Sequence, residues 1–219
     1  LKITNFAHTL VAKKYELLQQ SILPALATEK VIFKYHHTWS TKLHQWARDF
    51  FHRELVPLLT PIALDPAHPF PRVINKSLNF LVALEGKDSF GREASLAVVQ
   101  APRSLPRVVR VPKQFEGPSE TCFILLSSFM LAFVGELFPG IKVTGCYQFR
   151  VTRNSDLFVS EDDITDLRSA LQGELPTRHL GDAVRLEITA STPDKLVERI
   201  LNENNLQESD CYRVNGPVN

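Results

Sequence analysis

The sequence predicts an α+β fold: a mixed sheet backed by helices, preceded by the last helices of an antiparallel helical bundle. Three observations carry this. Apolar residues recur at helical spacing over the first 56 residues. After Pro57 short apolar runs bounded by Gly and Pro replace them, and residues 143–151 and 183–190 alternate with the two-residue period of a half-buried strand.

Phe6, Leu10, Leu17, Leu18 and Ile22 place a helix from residue 2 to about 27, with Pro24 and Thr28 blurring its end. Ser40 is positioned to cap a second helix, in which Leu43, Trp46, Ala47, Phe50, Phe51 and Leu55 form a wide apolar face. Thr60 to Phe80 carries Pro61, Pro66, Pro69 and Pro71 with one histidine, His68, and reads as a rigid, extended connection. Leu78–Leu84 and Ala94–Val99 are strands of a hairpin around a loop, residues 85–92, with Gly86 and Gly91. Arg107–Val111 is a further short strand. Cys122 to Phe138 reads as a buried helix stopped by Pro139-Gly140.

Along residues 143–151, Phe149 and Val151 take one face; Arg150, Thr152 and Asn154 take the other. Ser160-Glu-Asp-Asp163 resembles a capping box before a helix with Ile164, Leu167 and Leu171. Ala183–Ala190 is a strand with Val184, Leu186 and Ile188 inward. Ser191 or Thr192 caps a last helix, with Pro193 in its first turn and Leu196, Val197, Ile200 and Leu201 inside. Tyr212–Val214 closes the order ββ(β)αβαβαβ.

The chain of 219 residues, 44% hydrophobic and 22% charged, is long enough for a substantial core. A net charge of +1 excludes a global polyanion signature, so no nucleic-acid partner is expected and any phosphate site must be local. Cys122, Cys146 and Cys211 lack metal-ligand spacing and read as reduced thiols. The run from Cys122, interrupted by Ser127, Ser128 and Glu136, is too short for a transmembrane segment. No signal peptide opens the chain, and Leu1 in place of Met is expected of a fragment of a longer polypeptide.

Candidate sites are few. His36 and His37 are adjacent and diverge, while His44 and His52 lie two helical turns apart, about 12 Å of rise, too far to share an ion; no metal site is expected. Glu161-Asp162-Asp163 suits the positive end of a helix better than a cation. No Gly-x-Ser-x-Gly elbow, phosphate loop or dinucleotide fingerprint occurs, and no catalytic residue is expected. Phosphate contact falls to Arg150, Arg153 and Asn154, with Lys142 nearby, because guanidinium forks match phosphate oxygens. Arg103, Arg107, Arg110 and Lys113 form a second basic run. The competing reading is a solvated face, or pairing with carboxylates such as Asp156.

Four stretches resemble the bacterial polyphosphate kinase family, in the same order and at similar spacing: Thr60 to Phe80, Glu136-Leu-Phe-Pro-Gly140, Phe149-Arg-Val-Thr-Arg-Asn-Ser-Asp156 and Tyr212-Arg-Val-Asn-Gly-Pro-Val-Asn219. By this resemblance residues 1–56 are the C-terminal part of a helical N domain and residues 57–219 an α+β head domain. The resemblance implies reversible phosphoryl transfer from ATP to polyphosphate through a phosphohistidine, with Mg2+ and ATP as cofactors. It further implies a homo-oligomer that is cytoplasmic or peripheral to the inner membrane. The reacting histidine, arginines and metal ligands belong to later phospholipase D-like domains, absent here, so none of the seven histidines is the phosphorylated one. Cys122–Phe133 is more apolar than the family's equivalent helix, which suits either an interface or a buried core helix. The fragment is thus expected to supply architecture and to be inactive alone. The alternative is a free-standing polyanion-binding module.

Overall fold

The computed structural model describes residues 2–64, 70–86, 95–101, 104–154 and 181–218. Helix α1 (Lys2–Leu17) runs through a π-helical turn, Leu18–Ile22, into α2 (Leu23–Thr28). Pro24 lies in the first turn of α2, where the missing N–H is tolerated, so the helix continues through it. Lys30, at φ 63°, turns the chain into strand β1 (Val31–Phe33). Helix α3 (Thr41–Phe50) begins as predicted, with Ser40 Oγ accepting a hydrogen bond from the Leu43 N–H at 3.3 Å. A π-helical turn, Phe51–Leu55, prolongs it, and Leu43, Ala47, Phe51 and Leu55 are all buried.

Strands β2 (Thr60–Ala63), β3 (Asn79–Glu85) and β4 (Leu96–Gln100) follow, with β3 and β4 paired as the expected hairpin. Next come β5 (Val108–Arg110), β6 (Thr121–Leu125), helix α4 (Leu126–Phe133) and β7 (Lys142–Arg153). Strand β8 (Ala183–Thr189), helix α5 (Asp194–Glu203) and β9 (Cys211–Val214) complete the order. Among the described residues the main sheet has six strands in the order β2-β4-β3-β7-β8-β9, antiparallel throughout except β8 against β9. Parallel neighbours need a crossover, and α5 supplies it.

Several expectations are corrected. The single mixed sheet is two sheets, because β1, β6 and β5 form a separate three-stranded one. The helix expected from Cys122 starts only at Leu126. Thr121–Leu125 is instead a strand between β1 and β5, burying Cys122 and Ile124 on one side, and a short apolar run cannot by periodicity be told from a buried helix. Val184 is 50% exposed rather than inward: Thr152 pairs with Arg185 but Arg153 with Ala183, so Val184 is the extra residue of a bulge. Neither Ser191 nor Thr192 caps α5. Pro193 holds the cap position, and the Thr192 hydroxyl donates backwards to the Thr189 carbonyl at 2.7 Å. The first part of the Pro-rich run is a strand, tolerated because β2 is an edge strand. Its centre, 65–69, most of the hairpin loop and the helix expected after Ser160 lie outside the described residues.

The main sheet is covered on both sides. Phe80, Val82, Ala97 and Val99 face a core built with Ala47, Phe51 and Leu55 of the α3 segment and Phe129, Met130 and Phe133 of α4. Leu81, Val98, Phe149, Val151, Leu186 and Ile188 face a second core closed by Val197, Ile200 and Leu201 of α5. Strand β3 feeds both, which is why it reads as a continuous apolar run. No helix among the described residues is long and apolar enough to cross a membrane.

Candidate functional site

The pleat of β7 carries Arg150 away from the α5 core, on the face that also bears Gln148. The β7–β8 register sets Arg150 opposite Glu187, and Arg185 lies two residues along on the same face. Glu187 is 1% exposed. Arg150 Nη2 is hydrogen-bonded to its Oε2, Arg185 Nη2 is 3.0 Å from the same oxygen, and Lys14 Nζ of α1 is 3.4 Å from Oε1. The Tyr15 hydroxyl lies 3.3 Å from Glu187 Oε1 and 3.2 Å from the Pro217 carbonyl. Burial alone would raise the Glu187 pKa. The Arg150 hydrogen bond and charge, with Arg185 and Lys14, overcome this and hold the carboxyl below the ordinary glutamate range. Arg185 also sits 4.0 Å over the Tyr212 ring, whose other partner is the stacked His8 imidazole, at 4.0 Å between centroids. These contacts dock α1 onto β8 and β9.

Arg153 follows the bulge and points elsewhere. It is buried, and its Nε donates to the Val73 carbonyl at 2.9 Å, Nη1 to the Gly181 carbonyl at 3.0 Å and Nη2 to Asn204 Oδ1 at 3.2 Å. One guanidinium thereby ties the end of the Pro-rich run, the approach to β8 and the C-terminus of α5. Burial and the nearby Arg72 lower its pKa, although an arginine stays charged at neutral pH. The Asn154 N–H donates to the Asp182 carbonyl at 2.7 Å. The guanidinium groups of Arg150 and Arg153 therefore do not converge on one point.

The remaining basic residues are dispersed. Lys142 pairs with Glu85 at 2.7 Å, Arg110 Nε is 3.8 Å from Glu116, Arg107 is half-buried and Lys113 exposed; Arg103 lies outside the described residues. His52 and Arg48 both contact Glu136, and the His44 ring packs edge-on against Phe133 at 5.0 Å. Among the described residues no group of three or more His, Cys, Asp or Glu comes together. The cysteines are free, and burial pushes Cys146 up to about 12 and Cys211 up to about 11. Sequence reasoning missed Glu187, naming Asp156 as the acidic partner. An opposite-charge cross-strand pair between the two alternating segments would have found it.

A family model described as the polyphosphate kinase middle domain matches residues 42–219. The chain belongs to the polyphosphate kinase family. All four stretches that carried the resemblance lie inside the matched region, whereas α1, α2 and β1 precede it. The polyphosphate kinases of Burkholderia vietnamiensis and Burkholderia multivorans are each 60% identical over 217 residues, 99% of this chain and 31% of theirs. That of Paraburkholderia phytofirmans is 57% identical over the same span. The chain thus spans 31% of the length of these relatives. The crystal structure of polyphosphate kinase from Porphyromonas gingivalis matches with a TM-score of 0.78 at 21% identity, covering 99% of this chain and 30% of that one, a likeness of fold.

Proposed function

We propose that this chain is the architectural middle of a polyphosphate kinase, holding neighbouring domains or subunits in register while the reacting groups lie elsewhere in the parent protein. In this reading the parent, a cytoplasmic homo-oligomer, moves the terminal phosphoryl group of ATP onto polyphosphate and back through a phosphohistidine, with Mg2+. Residues 1–56 are the end of a helical domain and residues 57–219 the head. Phosphoryl transfer depends on alignment and charge stabilisation, so a rigid middle has catalytic value without touching substrate.

Family membership supports the parent's chemistry. The observation that carries the architectural share is the internal engagement of the β7 cations: Arg150 faces the buried Glu187, and Arg153 faces three protein acceptors. Residues 1–219, given ATP, Mg2+ and polyphosphate, are expected to give no turnover above background. Conversion at the rate of the full-length kinase overturns the reading.

The alternative, a polyanion-binding module using Arg150, Arg153 and the basic run from Arg103 to Lys113, draws on the three cations, Lys14, Arg150 and Arg185, gathered around one carboxylate. A salt-dependent polyphosphate titration separates the two. Tight binding lost in Arg150→Ala and Arg153→Ala favours the module.

A further inference from the structure

Between the first turn of α4, the His36-His37 turn and the C-terminal segment lies a cavity of about 500 Å³. The N–H of Leu126 donates to the Arg107 carbonyl at 2.9 Å, but α4 has no side-chain cap, and the N–H groups of Ser127 and Ser128 have no acceptor among the described residues. An uncapped helix start concentrates partial positive charge on such donors. Alone this would be an ordinary hydrated helix end. Two further facts distinguish it.

Ser127 and Ser128 line the cavity at 6% and 3% exposure, and neither hydroxyl has a hydrogen-bond partner among the described residues. Gln148, 5% exposed, reaches the same cavity from β7, a different element. Its Oε1 accepts from the Val218 N–H at 3.2 Å, which fixes the carboxamide and leaves Nε2 with no partner among the described residues. None of these three side-chain atoms is sealed from solvent, so they open onto the cavity, where water or a ligand completes them. Among the described residues no carboxylate lines the cavity and no acidic residue occupies the first turn of α4, and Leu23 and Leu131 supply apolar wall.

The complement of this donor set is a compact anion rich in acceptor oxygens. A carboxylate offers two oxygens; a tetrahedral oxyanion offers enough to engage two N–H groups, two hydroxyls and an amide together. We propose that the cavity binds a phosphoryl oxyanion, as free orthophosphate or as the end of a polyphosphate chain, through the N–H and hydroxyl groups of Ser127 and Ser128 and the Gln148 carboxamide. The choice of polyphosphate as one source rests on the proposed function; the oxyanion site does not. His36 and His37 also line the cavity; burial, with the neighbouring His37, lowers the His36 pKa, so the site rests on neutral donors rather than on imidazolium charge.

The test is a titration of the 15N-labelled chain at constant ionic strength, with orthophosphate in one arm and tripolyphosphate in the other. Saturable shifts of the Ser127 and Ser128 backbone amides and the Gln148 side-chain NH2 are expected. Response to both ligands assigns a free-anion site, and response to tripolyphosphate alone a chain-end site. Ser128→Ala, a change that removes one oxygen atom, weakens binding about tenfold. Ser128→Asp, whose carboxylate competes for the same N–H groups, abolishes it; retained amide dispersion establishes folding in each variant. No saturable shift in either arm, or unchanged affinity in both variants, overturns the proposal. Because no turnover is read, that failure leaves the architectural reading untouched.

Discussion

At Glu187 a single carboxylate, 1% exposed, is shared by Arg150, Arg185 and Lys14, with the Tyr15 hydroxyl also in reach. Removing one partner of a buried ion pair is far more costly than the pair is worth, because the charges left behind stay desolvated. Glu187→Ala is therefore expected to destabilise the chain by about 3–5 kcal/mol in urea unfolding. The pH dependence has a definite sign. The folded-state pKa lies below the ordinary value of 4.5, so the stabilisation is complete above 4.5 and is lost as pH falls below it through the depressed folded value. Glu187→Gln should flatten that acid limb; an unaltered acid limb would show that Glu187 contributes no such linkage. Arg153 makes the complementary point. Its guanidinium serves three protein acceptors at once, a task a lysine cannot reproduce.

Among the elements, two helix starts with similar sequence signals behave differently. Ser40 caps α3 through the Leu43 N–H, whereas Ser191 is exposed and Pro193 occupies the cap position of α5. Ser40→Ala is accordingly expected to cost about 1 kcal/mol, and Ser191→Ala less than about 0.5 kcal/mol. Urea midpoints of the two variants check this directly, and equal losses would contradict the assigned caps. The element that sequence misread, Thr121–Leu125, illustrates the limit of local pattern. Its residues suit a strand or a buried helix, and pairing with β1 and β5 decides.

For the whole molecule the decisive feature is a shared sheet between two cores. Trp39, Trp46, Phe50 and Phe51 gather around Phe129 and Phe133, while Phe149 and Leu186 lie on the far side with α5. Strand β3 contributes Phe80 and Val82 to one core and Leu81 to the other, so neither core can dissolve without damaging its neighbour. Tryptophan fluorescence and far-UV circular dichroism should report one coincident unfolding transition. Phe129→Ala should shift both signals together by about 3–5 kcal/mol. Separate transitions would mean that the segment before Pro57 unfolds as an independent domain.

Sequence by itself determined the α+β class, the positions of α1, α3, β3, β4, β7, β8, α5 and β9, the Ser40 cap and the family, because each rests on local periodicity, capping chemistry or motif order. It also selected the cations of β7 without their destinations. Only the tertiary structure decided that Arg150 meets Glu187, that a bulge turns Val184 outward and carries Arg153 to Val73, Gly181 and Asn204, and that Gln148 joins Ser127 and Ser128 at one cavity. The physical reason is range. A side chain's face follows from neighbours two to four residues away, but its partner follows from strand register and packing between residues far apart in the chain.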